Sequence, residues 1–187
     1  MPARDPLVLS PDIVNHVTQH ATGRDVFSLD ERDRDAVVAL LAKTRDRYEL
    51  ELHDYCVMTN HIHLVVRAPR ANLPRAMQYL WACVVQRFNR RHDRRGHLVA
   101  APYSPTPILS EEHYLATRAY VALNPVVARL CRHPAEWRWC GFGGGGAIAT
   151  APDAAVRALV DARVELLEAT RRELRPGEMS LSGVSRA

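Results

Sequence analysis

The run Tyr55-Cys56-Val57-Met58-Thr59-Asn60-His61-Ile62-His63-Leu64-Val65-Val66 constrains this chain more than any other stretch. In an extended backbone, successive side chains alternate between two faces. His61 and His63 then share one face, and Ile62 points into a core. Thr59-Asn60 falls in turn position between two strands, Leu50 to Met58 and Ile62 to Ala68, with His61 at the start of the later one. Two imidazoles side by side on one strand make two thirds of a three-ligand metal site. A third ligand and a nucleophile must come from elsewhere in the chain.

The flanking segments supply the rest of a fold. Pro2, Pro6 and Pro11 make residues 1–12 an irregular lead-in, and Ile13 to His20 is a first strand rich in β-branched residues. Asp30 caps a helix that runs to about Tyr48, with Ala36, Val37, Leu40 and Leu41 on one stripe. Asn72 is placed to cap the next helix, with Pro74 in its first turn. That helix is the clearest in the chain: Met77, Leu80, Trp81, Val84, Val85 and Phe88 recur at helical spacing as far as His92. Gly96 stops it. His97 to Leu109 is a last strand region, interrupted by Pro102, Pro105 and Pro107. Ser110 caps a helix with Glu111 and Glu112 in its first turn, and Pro125 ends or kinks it.

The order strand, helix, strand, strand, helix, strand, helix is the split βαβ pattern with one helix added. The expected fold class is α+β: a ferredoxin-like antiparallel sheet with helices on one face, an added catalytic helix and a C-terminal helical extension. The catalytic domain is expected over residues 13–140. Residues 141–187 would hold a glycine-rich break, a peripheral helix from about Pro152 to Leu174, and a disordered tail from 175.

Composition narrows the class. A hydrophobic fraction of 47% in 187 residues is enough for one real core. No stretch approaches the roughly 20 apolar residues of a membrane span, and the first residues lack a signal-peptide hydrophobic region, so a cytoplasmic protein with no membrane partner is expected. The four cysteines, Cys56, Cys83, Cys131 and Cys140, form no close pair and read as buried reduced thiols. Trp137 and Trp139 are expected to pack the chain's return against the sheet. Net charge is +4, and all but one (Lys43) of the 25 basic residues are arginine, the better bidentate phosphate binder. Arg87, Arg90, Arg91, Arg94 and Arg95 form the densest basic patch; Tyr79, Trp81, Tyr103 and Tyr114 are candidate stacking surfaces, with Trp81 better suited to the core.

Tyr120 and Asn124 are spaced i, i+4 and face one side of a helix. A phenol can attack a phosphodiester and store its bond energy as a phosphotyrosine ester. Its unperturbed pKa of about 10 means it needs help from a base, a cation or a metal field. Taken singly, each of these residues also fits an ordinary role: a half-buried polar strand face, a packed aromatic, a helix-terminal asparagine.

Taken together they carry a resemblance. Asn60-His61-Ile62-His63-Leu64-Val65-Val66, Arg90-Arg91-His92, Gly96-His97-Leu98 and Tyr120-Val121-Ala122-Leu123-Asn124-Pro125-Val126 resemble, in matching order, the REP-associated tyrosine transposases. These are single-tyrosine HUH nucleases of the IS200-like transposase superfamily. Asn15-His16-Val17-Thr18-Gln19 resembles the family's opening strand. The resemblance implies that His61, His63 and Asn124 hold Mg²⁺ or Mn²⁺. It implies that Tyr120 attacks single-stranded DNA near hairpin repeats, leaving a 5′-phosphotyrosine link and a free 3′-hydroxyl. It implies a monomer or a homodimer. Arg118, beside the tyrosine, joins Arg87, Arg90, Arg91, Arg94 and Arg95 as an expected DNA contact.

The chain departs from the family pattern at His20, at Val99-Ala100-Ala101-Pro102-Tyr103 and at Val127, each time losing a basic residue from a DNA-facing region. A non-catalytic nucleic-acid-binding module on the same fold is therefore a second expectation. A metallohydrolase using His61, His63 and a carboxylate is a third.

Overall fold

The structure is a computed structural model that describes residues 6–23, 26–100, 102–143, 148 and 153–173. The expected tail from 175 lies outside the described residues, as does most of the glycine run; Gly141–Gly143 form a short 3₁₀ turn with Gly141 and Phe142 buried. Part of the irregular lead-in is also a 3₁₀ turn, Pro6–Leu9. The elements then run β1 (Val14–His20), α1 (Glu31–Tyr48), β2 (Glu51–Val57), β3 (His61–Arg67), α2 (Leu73–Arg91), β4 (Ser104–Ile108), α3 (Glu111–Val127) and α4 (Ala154–Glu173).

The four strands form one antiparallel sheet in the order β2-β3-β1-β4. This is the expected ferredoxin-like α+β architecture. Val17, Ile62, Leu64 and Val66 are at most 1% exposed. Their face is closed by α1 and α2, which pack on each other and bring the Phe27 and Trp81 rings to 5.4 Å. The opposite face carries His16, Thr18 and His20 of β1 and His61 and His63 of β3, because alternation puts them there. Helix α3 crosses that face over β2 and β3, and α4 packs on α3.

The helix starts follow their caps. Asp30 accepts from Asp33 N at 3.0 Å, and Ser110 accepts from His113 N at 3.1 Å. Asn72 stands at its expected position, but its side chain makes no cap bond to α2. It donates instead to Tyr48 O at 2.9 Å, satisfying a carbonyl at the end of α1 that the helix itself leaves open. Pro125 does not end α3; the helix continues to Val127. The expected tryptophan packing is present: Trp137 Nε1 donates to Val57 O at 3.1 Å, and Val57 N donates to Trp139 O at 2.9 Å.

The irregular strand region resolves into a short edge strand. Pro105 lies opposite Val17 and Pro107 opposite Asn15. Neither has an N–H, so the ladder to β1 runs through Ser104, Thr106 and Ile108, and the prolines present the edge.

Candidate active site

Pairing brings four histidines into one cluster. The register sets His20 opposite His61 and Thr18 opposite His63. His20 stacks on His61 at 5.3 Å, His61 meets His63 edge-on at 4.9 Å, and His16 stacks on His63 at 5.1 Å. Helix α3 then lowers Tyr120 onto the cluster. Its ring lies 5.4 Å from His63 and 5.9 Å from His16, both edge-on. Tyr120 remains 54% exposed, so its hydroxyl is open to a ligand arriving from solvent.

The hydrogen bonds engage the Nδ1 side of both strand imidazoles. His61 Nδ1 is 2.9 Å from Asn60 Oδ1, an acceptor, which assigns the proton to Nδ1 and leaves Nε2 unprotonated. His63 Nδ1 is 3.0 Å from His16 Nε2 and 3.3 Å from Thr18 Oγ1. His63 Nε2 is buried without a hydrogen-bond partner among the described residues. Burial holds His63 down to about 3 and lowers His61 and His16 from the ordinary histidine value, so all three are neutral near pH 7. The Asn124 amide donates to Tyr120 O at 2.8 Å. Its side chain is also close enough to His61 and His63 to favour their charged forms, against the stronger effect of burial.

The donor set of His61, His63 and Asn124 therefore fits a divalent ion. The orphaned Nε2 of His63 is the telling observation, because a buried polar atom without a partner is costly. The bonds on Nδ1 are the kind that orient ligating imidazoles. Among the described residues no group of three or more His, Cys, Asp or Glu side chains is arranged to hold a metal. The expected carboxylate of a metallohydrolase is thus not in place there.

The expected DNA-contact arginines separate into three kinds. Arg87, Arg90 and Arg95 are exposed near the end of α2. The segment after α2 bonds back to the end of β1, through Thr22 N to Leu98 O at 3.0 Å, while Arg87 borders α1 beside Lys43. Arg91 is committed to Asp30 and Asp33, and Arg94 sits over the Phe88 ring at 5.8 Å. Arg118 is a correction. It is 5% exposed, with Asp54 at 3.5 Å, Asp153 at 3.0 Å and Tyr114 Oη at 3.4 Å. It points into the protein and is not a DNA contact. Among the stacking candidates, Tyr103 is 8% exposed and Tyr114 is bonded to His53 Nδ1 at 2.8 Å.

His16 was not among the residues singled out from the sequence. Its signal was present: His16, Thr18 and His20 recur with the same two-residue period as His61 and His63.

The fold and this cluster define a class, an antiparallel ferredoxin-like sheet with paired histidines faced by a helix-borne tyrosine. The chain belongs to the family described as "Transposase IS200 like", whose match covers residues 13–122. Among solved structures it is similar to a REP-associated tyrosine transposase bound to a REP hairpin, with a TM-score of 0.60 and 13% identity over 78% of this chain and 92% of that one. At that identity the likeness establishes the fold. No curated protein matches the chain. No helix among the described residues is long and apolar enough to cross a membrane.

Proposed function

We propose that this chain is a metal-dependent endonuclease and strand transferase for single-stranded DNA, acting through a 5′-phosphotyrosine at Tyr120. One observation carries the reading: an exposed phenol packed against a cluster of neutral imidazoles, in which His61 Nε2 is unprotonated and His63 Nε2 has no hydrogen-bond partner among the described residues. In the family a transposase role is general, and the solved relative is bound to a REP hairpin. We extend that partner, a DNA hairpin repeat, to this chain.

The residues divide the work. Tyr120 Oη attacks the scissile phosphorus, the P–O3′ bond breaks, and the departing 3′-oxygen takes up a proton. The phenolic proton leaves through the solvent-open side of Tyr120. His61, His63 and Asn124 would hold Mg²⁺ or Mn²⁺, which supplies Lewis-acid polarisation of a phosphoryl oxygen. Asn60 and His16 orient the two imidazoles through their Nδ1 atoms. Asn124 also bonds to the backbone of Tyr120, so nucleophile and amide ligand share one helical turn. Arg87, Arg90 and Arg95 bind phosphates of the flanking strand without reading sequence.

The test is a labelled oligonucleotide with a hairpin repeat, incubated with Mn²⁺ and resolved under denaturing conditions. Wild type forms a covalent adduct. Tyr120→Phe forms none and keeps its affinity within about twofold. An adduct that persists in Tyr120→Phe removes Tyr120 as the nucleophile. The non-catalytic alternative draws support from His20, which stacks on His61 where the family usually carries an arginine. Binding indifferent to Mn²⁺, with no adduct from wild type, selects that alternative.

A further inference from the structure

Tyr120 forms part of the wall of an open groove of about 520 Å³ between α3 and α4. Ala119, Leu123 and Val127 of α3 and Leu159 of α4 give it an apolar lining, and Arg163 of α4 borders it. Val127 is 63% exposed and Leu159 46%, high values for apolar side chains on adjoining helices. Arg163 is exposed and forms no ion pair with another described residue. The α4 side lies outside the 13–122 stretch that matches the family.

We propose that this groove is a subsite for one nucleotide of the DNA strand, the one whose 5′-phosphate becomes joined to Tyr120. The inference rests on the function proposed above and adds what holds the covalently retained strand. In an in-line displacement the entering phenolic oxygen and the departing 3′-oxygen lie on opposite sides of phosphorus. The leaving strand therefore departs away from Tyr120. The retained nucleotide stays tethered to it, and the groove is the cavity at that tether. The chemistry of the two matches. A base offers a flat apolar face to Leu123 and Leu159, as stacking and apolar platforms do in other single-strand binders. Its phosphate offers the anion that Arg163 lacks. The volume falls within the roughly 300–1,000 Å³ of small-ligand sites. An arginine with no acidic partner among the described residues, beside an apolar floor, favours this anionic, flat-faced occupant over a second copy of the chain.

The experiment uses the full chain and a hairpin oligonucleotide whose cut position has been mapped from the released 3′-hydroxyl fragment. Binding is measured with Tyr120→Phe protein, so that no cleavage intervenes. An abasic residue immediately 3′ of the cut weakens binding about tenfold, whereas one immediately 5′ of it does so far less. Arg163→Ala weakens binding about tenfold, and Arg163→Lys restores most of it. Leu159→Asp removes the difference between intact and abasic strands. Equal losses at the two abasic positions overturn the assignment, as does unchanged binding by the Arg163 and Leu159 variants. Variants that change sedimentation while leaving DNA binding intact also overturn it, giving the groove to a second copy. Failure of wild type to form any adduct is a separate result, and it rejects the function proposed above.

Discussion

At the scale of single residues, His16 makes the sharpest prediction. Its Nε2 stands 3.0 Å from His63 Nδ1. If that bond orients a ligating imidazole, removing it loosens the metal. Losses of about 10–100-fold are usual for such partners. We expect His16→Ala to weaken Mn²⁺ binding at least about tenfold by calorimetry, with thermal stability nearly unchanged. His16→Gln, which keeps a polar partner within reach, recovers part of the affinity. Unaltered Mn²⁺ affinity in His16→Ala would return this residue to ordinary packing. His61 and His63 were legible in the sequence because their alternation is local. His16 was not, because its meaning depends on which strand lies beside β3. Arg118 shows the opposite failure. It stands two residues from Tyr120, about 200° around the helix, so the periodicity that paired Tyr120 with Asn124 already turned Arg118 away from them.

At the scale of elements, α3 holds Tyr120 and Asn124, the proposed nucleophile and amide ligand, so its stability sets the order of the site. Ser110 satisfies one of its open N–H groups. Ser110→Ala is expected to lose about 1 kcal/mol in urea unfolding, and Ser110→Asp to lose little. Mn²⁺ affinity stays the same in the folded protein, since the cap lies more than two turns from Tyr120. A full loss of folding, or no change at all, would contradict this account of the helix start. The helices were legible because caps and apolar stripes are written in consecutive residues. The same reading misjudged Asn72, whose amide was drawn to the end of α1 by a contact between elements. Of the two outcomes expected at Pro125, an end or a kink, the end does not occur: the helix runs two residues further to Val127.

At the scale of the whole molecule, Arg118 joins β2, α3 and the start of α4 through Asp54 and Asp153. Burial pushes the Asp54 carboxyl up to about 7, outweighing the neighbouring guanidinium. A carboxyl raised from an ordinary 3.8 binds its proton more tightly in the folded state. The contribution of neutral Asp54 is therefore full below about pH 4 and is lost as pH rises through 7, by up to about 1.4 kcal/mol per pH unit. The buried histidines act in the opposite direction, so the readout is a difference between proteins. The melting temperature of Asp54→Asn is expected to rise relative to wild type between pH 4 and 7. Parallel profiles would place Asp54 outside this account. Strand order and layer arrangement were legible because the succession of elements leaves few topologies. The network around Arg118 was not, because it is assembled from residues 54, 118 and 153, which only the folded chain brings together.

The prolines of β4 have a last consequence. With Pro105 and Pro107 turned outward, the outer rim of that strand offers carbonyls but no N–H at those positions, so an added strand would find nothing to accept from. At the opposite margin, the return through Trp137 and Trp139 already occupies the Val57 end of β2. The sheet is thereby kept from polymerising through strands of its own.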